Sequence, residues 1–131
     1  MKLSMFIIEN SKTMSKYIPE RFDIILLDFE PKKGNEIGKY RPALVLTSKT
    51  YNQKTGLLIC CPISTSIRGH LSEVPVEGLD RPSVIASSII QTLSWQARKA
   101  KFVKKVSREI FEEVLQRLLP LIGADEFLET L

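Results

Sequence analysis

The sequence predicts a mainly β fold, a small barrel or sandwich carrying one C-terminal helix, and three observations carry that expectation. Strand-length runs rich in Ile, Leu and Val recur between residues 23 and 95. Gly, Pro, Asn and Asp punctuate them at the spacing of compact β domains. After Ser107 the apolar period changes from strand-like to helical and stays so as far as Leu119.

Each element follows from its residues. Residues 1 to 16 show no sustained period, which predicts an N-terminal extension, poorly ordered or forming a short extra element, ahead of a single domain over residues 17 to 131. "DIILLDF", starting at Asp23, has the length of one strand and is stopped by Pro31, Lys32, Lys33, Gly34 and Asn35. "ALVLTS", "GLLICCPI", "SEVPVEG", "RPSVIAS" and "IQTLSW" follow as further short strands. "LLICC" lacks polar alternation, which predicts a central strand covered on both faces. Pro42, Pro62, Pro75 and Pro82 cannot donate to a ladder, so they belong at strand ends, edges or bulges, where a barrel opens toward a ligand. Ser107 is the N-cap candidate of a helix whose apolar stripe is Ile110, Phe111, Val114, Leu115, Leu118 and Leu119. Pro120 is expected to end or kink that helix near Leu119, with Gly123 as the final stop.

The chain's 131 residues, 44% of them hydrophobic, suffice for a core without disulfides or a structural metal. A net charge of +4 favours a partner rich in phosphate or carboxylate. The excess concentrates in Arg98, Lys99, Lys101, Lys104, Lys105 and Arg108, a run that fits a solvated face as well as a binding surface. Cys60 and Cys61 are adjacent in an apolar run, where successive side chains of a strand point to opposite faces, so they read as two buried, inert thiols. With one histidine and two cysteines neither a disulfide framework nor a zinc site assembles, and a reducing cytoplasm is the natural compartment. Glu9, Asn10 and Lys12 interrupt the apolar N-terminus before a signal-peptide core forms. No apolar run approaches the ~20 residues needed to cross a bilayer. These observations predict a soluble, cytoplasmic protein with no membrane contact, no metal and no cofactor.

Elimination narrows the chemistry. His70, beside Gly69 in a polar loop, is the only base available to Ser-His-Asp or Cys-His catalysis, and a lone loop histidine reads as a solvated turn residue. No glycine-rich phosphate loop and no dinucleotide-binding glycine motif occurs. What remains is a set suited to phosphate: Lys39, Arg41, Ser64, Thr65, Ser66 and Arg68. Arginine's planar fork grips two phosphate oxygens together, and hydroxyls add short donors. Ser64, Thr65 and Ser66 equally fit a turn that hydrogen-bonds its own backbone.

An ordered set runs through the chain: Asp28-Phe29 with Pro31, Gly34 with Glu36, Arg41-Pro42-Ala43, and Pro62 with Ser64-Thr65. "EVPV", "RPSV" and "QTLSWQARKAKFV" extend it. From about Tyr17 to Gly123 this pattern resembles the MazF/PemK family of toxin ribonucleases. The resemblance implies an SH3-like β-barrel with a C-terminal helix, working as a homodimer. It also implies the toxin of a toxin–antitoxin pair, a sequence-specific endoribonuclease that cuts single-stranded mRNA without a metal and leaves 2′,3′-cyclic phosphate and 5′-hydroxyl ends. A cognate acidic antitoxin would inhibit it, and operator DNA would be met only through the antitoxin complex.

On that resemblance Arg41 matches the family's catalytic arginine, and Ser64 stands where relatives place a catalytic threonine. Glu36 matches a loop acid linked to activity and is the candidate base. Lys39, Thr65, Arg68, Gln91 and Arg98 are the candidate RNA-binding residues, and Trp95 and Phe29 the candidates for the antitoxin or dimer interface. Arg41 would neutralise the phosphodiester while the RNA's own 2′-hydroxyl attacks it, with Ser64 as a second donor. Met14 is a candidate original start, since the likeness begins at Tyr17. The chain departs from the pattern in two segments. Phe22-Asp23 stands where the first strand usually opens with Gly-Asp. Ser88, Ile89 and Gln91 replace the usual residues of the dimer seam, and Ala86 and Ser88 occupy the places of an Arg and an Asp used by the PemK branch. Two other classes stay open: a catalytically silent nucleic-acid-binding barrel, and a gyrase-poisoning toxin of related fold.

Overall fold

The computed structural model describes residues 16–29 and 40–129. The strands are β1 (Asp23–Asp28), β2 (Tyr40–Val45), β3 (Leu57–Ser64), β4 (Glu73–Val76), β5 (Ser83–Ala86), β6 (Gln91–Ser94) and β7 (Lys101–Lys105). They pair antiparallel in the order β4-β5-β3-β2-β1-β7, with β6 also on β3, and the sheet curls into a half-barrel. Helix α1 (Lys49–Thr55) links β2 to β3, and α2 (Arg108–Leu121) and α3 (Ala124–Leu128) close the described chain. The predicted mainly β fold with C-terminal helical structure is the one observed.

The sheet is apolar on both faces because two cores use it. Ile24, Leu44, Cys61 and Ile85 pack with Phe111 and Val114 of α2. Their immediate neighbours Ile25, Ala43, Val45 and Cys60 pack on the other side with Leu58 and Trp95. Strand side chains alternate faces, so a strand buried on both sides must be apolar at every position. That requirement explains Leu58, Cys60 and Cys61, whereas Leu57, 38% exposed, and half-buried Ile59 belong to neither core, so the expected two-sided cover of "LLICC" holds for only part of the run. Burial pushes the thiols of Cys60 and Cys61 up to about 12, which suppresses the reactive thiolate and matches the expectation of inert cysteines.

The central strand changes partners along its length. β3 pairs with β6 from Leu57 to Cys60 and with β2 from Cys60 to Pro62, and from Ile63 it pairs with β5. Beyond Ala43, β2 continues through Pro42 and Arg41 against β1 alone. Pro42 and Pro62 therefore lie inside strands, but at the point where β2 and β3 stop sharing a ladder. Pro75 lies on the terminal strand β4, and Pro82 directly precedes β5.

Three elements went unforeseen: β7, α1 and the short α3 beyond Gly123, where a single C-terminal helix was expected. β7 is an edge strand whose residues are mostly exposed. In α1 the single buried side chain is the polar Asn52. Its ends do carry signals: Ser48 Oγ accepts from the Tyr51 amide at 3.2 Å, and Gly56, with φ 73°, donates back to the Asn52 carbonyl at 2.9 Å. In α2, Ser107 caps the helix by accepting from the Ile110 amide. Pro120 does not end it, and the helix runs on to Leu121. The proline removes one hydrogen bond in the last turn, at the carbonyl of Gln116, an exposed residue. Gly123, with φ 77°, makes the stop before α3.

The turn into β1 shows what Phe22 does in place of glycine. Its φ is 81°, in the left-handed region that glycine fills without cost. Its ring meets Phe111 edge-on at a centroid distance of 4.8 Å and packs against the α2 core. The left-handed backbone costs a phenylalanine ~1–2 kcal/mol, and partial burial of the ring together with its edge-on contact with Phe111 contributes ~2–3 kcal/mol. Phe22→Gly is expected to lower the unfolding free energy by a net ~1 kcal/mol, measured by urea denaturation. A variant more stable than the parent would show that strain outweighs packing here.

Candidate active site

Where β3 leaves β2, a groove of about 590 Å³ opens. Ile63, Val84, Pro62 and Phe29 supply apolar lining, and Arg41, Ser64, Arg68, Gln91 and Arg98 supply polar groups. Six residues singled out from sequence, scattered from Phe29 to Arg98, thus share one concavity.

Each is placed by a different element. Arg41 is half-buried as the second residue of β2, opposite Leu27 of β1. Among the described residues its guanidinium has no hydrogen-bond or ion-pair partner, which leaves the fork available to an anion. Ser64 ends β3 opposite Val84, and its Oγ accepts from the Ser66 amide at 3.0 Å. The self-bonded turn expected for Ser64 to Ser66 therefore exists. It uses an acceptor lone pair and leaves the hydroxyl hydrogen free to donate into the groove. Gln91 opens β6 beside Cys60. Arg98 is fixed to the end of β1: its Nη1 donates to the Asp28 carbonyl at 3.1 Å, and the Asp28 amide donates to the Arg98 carbonyl at 2.9 Å. Phe29, half-buried, follows that strand end.

The loop after Ser64 is held from three sides. The Glu73 carboxylate accepts from the amides of Arg68 at 3.1 Å and Gly69 at 3.0 Å. The Ser87 amide donates to the Ser72 carbonyl at 3.0 Å, and Arg117 of α2 donates to the Leu71 carbonyl at 2.9 Å. His70, Ser72 and Glu73 consequently join the lining, as do Ala86, Ser88 and Ile89. His70 is solvated as expected, yet it faces the groove. Its sequence neighbour Arg68, two positions away on the loop that leaves the Ser64 strand end, was the one cue to that location.

Other candidates lie elsewhere. Thr65 is exposed and outside the lining. Trp95 is 5% exposed, packs in the second core, and donates from Nε1 to the Asn52 carbonyl at 2.7 Å. Asn52 in turn donates to the Pro19 and Thr47 carbonyls at 2.8 and 3.2 Å, so Trp95 anchors the turn carrying Arg98 rather than lining the groove. Glu36 and Lys39 lie outside the described residues, as does the 1–13 segment ahead of Met14.

Among the described residues, three arginines against the one carboxylate of Glu73 make the lining positive, the sign that attracts a phosphate backbone. Among the described residues no group of His, Cys, Asp and Glu is placed to hold a metal ion, and no helix is long and apolar enough to cross a membrane.

Known proteins share this arrangement of chain and fold. The endoribonuclease toxin MazF of Escherichia coli strain K12 is 36% identical over 110 residues, which cover 84% of this chain and 99% of the relative. The crystal structure of MazF from Deinococcus radiodurans superposes with a TM-score of 0.75 at 32% identity, covering 82% of this chain and 99% of that one. MazF in a MazE–MazF crystal structure from the same organism gives a TM-score of 0.75 at 32% identity, over 82% and 98% of the two chains. Residues 20–122 match the family model of the PemK-like, MazF-like toxins of type II toxin–antitoxin systems, and with a relative 36% identical along nearly its whole length, the chain belongs to that family.

Proposed function

We propose that this endoribonuclease toxin cuts single-stranded mRNA at chosen sequences without a metal, through attack of the RNA's own 2′-hydroxyl on the adjacent phosphorus. The products are a 2′,3′-cyclic phosphate and a 5′-hydroxyl. The observation that carries the reading is the convergence of Arg41 and Ser64 on one groove with Arg68 and Arg98. Arg41 grips the phosphate and stabilises the charge that grows on its oxygens, because a guanidinium keeps its proton below pH ~12. Ser64 supplies a second donor. Arg68, Arg98 and Gln91 hold the flanking RNA, with Lys39 and Thr65 as further contacts. Phe29 offers a ring on which a splayed base stacks. Glu36 takes the proton of the 2′-hydroxyl.

The test is incubation of the purified protein with a mixed-sequence single-stranded RNA in excess EDTA, followed by analysis of fragment ends. Cyclic-phosphate ends are expected. Binding without scission would replace this reading with a silent RNA-binding barrel.

The MazE–MazF complex of Deinococcus radiodurans supports an antitoxin partner for this chain as well. An acidic, disordered antitoxin segment would order along the positive groove and block it. The toxin acts in the cytoplasm as a homodimer, with Trp95 supporting the interface from the core, and meets operator DNA only within the antitoxin complex. Arg68→Ala and Arg98→Ala are each expected to weaken RNA and antitoxin binding together, by roughly 1–3 kcal/mol per contact. Titration of both ligands against each variant checks this, and loss of one affinity without the other would separate the two surfaces.

A further inference from the structure

Strand scission moves two protons, one off the attacking 2′-hydroxyl and one onto the departing 5′-oxygen, an alkoxide that leaves poorly unless protonated. Among the described residues the groove lining holds five titratable side chains: Arg41, Arg68, His70, Glu73 and Arg98. The arginines keep their protons at any physiological pH. Glu73 is occupied, because its carboxylate oxygens accept the amides of Arg68 and Gly69. His70 is different. Its backbone is fixed, with its carbonyl accepting from the Glu73 amide at 3.0 Å and the next carbonyl, of Leu71, accepting from Arg117. Its imidazole is exposed and makes no hydrogen bond among the described residues. A rigid backbone under an uncommitted ring describes a side chain placed to meet a ligand, since a histidine that served the loop would spend its nitrogens on it.

We propose that His70 is a catalytic residue, the proton donor to the 5′-oxygen, an inference that rests on the ribonuclease reading above. Imidazole is the side chain that ordinarily changes charge between about pH 5 and 8, as a donor at neutral pH requires. The 2′-oxygen forms its bond to phosphorus as the P–O5′ bond breaks. The electron pair of the broken bond stays on O5′, which takes the proton of the imidazolium. The 2′-hydroxyl proton goes to Glu36, and solvent restores the imidazolium. Among the described residues, the charged groups that share its groove are Arg41 on β2, Arg68 and Glu73 on its own loop and β4, and Arg98 after β6. On α2 lie Arg117 and Glu113, paired at 3.7 Å.

The experiment compares single-turnover cleavage by the full chain, His70→Gln and His70→Ala on two oligonucleotides carrying a sequence the unsubstituted protein cuts. One has the natural 5′-oxygen at the scissile bond, the other a bridging 5′-sulfur, which leaves as a thiolate without needing a proton. Both variants are expected to lose roughly 10²-fold on the oxygen substrate and to stay within about threefold of the parent on the sulfur substrate. Equal losses on both substrates, a loss confined to KM, or no loss would overturn the assignment. Absence of scission by the unsubstituted protein would instead remove the ribonuclease reading, and the inference with it. Since the side chain is exposed, unchanged melting of both variants is expected and is checked alongside.

Discussion

Arg41→Ala is expected to cleave RNA about 10³-fold more slowly than the parent while melting at nearly the same temperature. The two halves of that result have separate causes. Stability holds because the guanidinium has no partner among the described residues, so its removal strands no buried charge. The backbone of Arg41 stays in register with Leu27 whatever its side chain. Activity falls because charge on the non-bridging oxygens grows only as the fifth bond to phosphorus forms, and a fixed donor there acts on the transition state more than on bound RNA. Removing one such donor costs roughly 3–4 kcal/mol of barrier. Arg41→Lys restores the charge without the planar fork, so recovery to within about tenfold of Ala is the expected limit. Single-turnover cleavage in EDTA with a parallel thermal melt measures both halves. A loss under about tenfold in Arg41→Ala would move the charge-stabilising role to another residue.

The parts of this protein legible in its sequence are those where one physical demand fixes every residue. β1, β2 and β3 feed two cores, so Ile24, Ile25 and Leu27 and then Leu58, Cys60 and Cys61 admit no polar residue and announce central strands. The stripe of α2 is equally forced by burial of Phe111, Val114 and Leu118. β7 escapes because Lys101-Phe102-Val103-Lys104-Lys105 pairs, among the described residues, with β1 alone and stays largely solvated, so pairing rather than burial makes it a strand. α1 escapes because its buried contact is the polar hub Asn52. At the site, Phe29, Arg41 and Ser64 are identifiable because they stand in a known order, and Arg68 and Arg98 by their positions relative to it, whereas Gln91 stands where the pattern departs. The inward placement of His70 is not identifiable, since it depends on a carboxylate bonding two backbone amides, which leaves no periodic mark. Phe22 shows the opposite case, where a local preference is violated and tertiary packing overrides it.

Asp23→Ala is expected to lose about 3 kcal/mol of stability at neutral pH, moving the urea midpoint down by about 1.5 M. Asp23 is 2% exposed at the first position of β1. One carboxylate oxygen accepts from Lys105 Nζ at 2.5 Å, and the other from the Glu20 amide at 3.0 Å and from the Tyr17 hydroxyl. The cluster ties the segment before β1 to the edge strand β7. Alanine leaves the Glu20 amide and the Tyr17 hydroxyl without their acceptor, whereas Lys105, half-exposed, returns to water. The effect should depend on pH in one direction. Burial first, then the hydrogen bond to Asp23, raises the Tyr17 phenol above its usual 10.0. The hydrogen bond to Asp23 likewise raises the Lys105 ammonium above 10.5. A folded-state value above the unfolded one contributes fully below the unfolded value and is lost as pH climbs past it. The parent should therefore lose stability above about pH 10, the usual tyrosine range, and the gap between parent and Asp23→Ala should narrow there. Urea titrations of both proteins at neutral and strongly alkaline pH measure that gap. If it is equal at the two, Asp23 stabilises the fold through packing alone and the proton-linked tether to Tyr17 and Lys105 is absent.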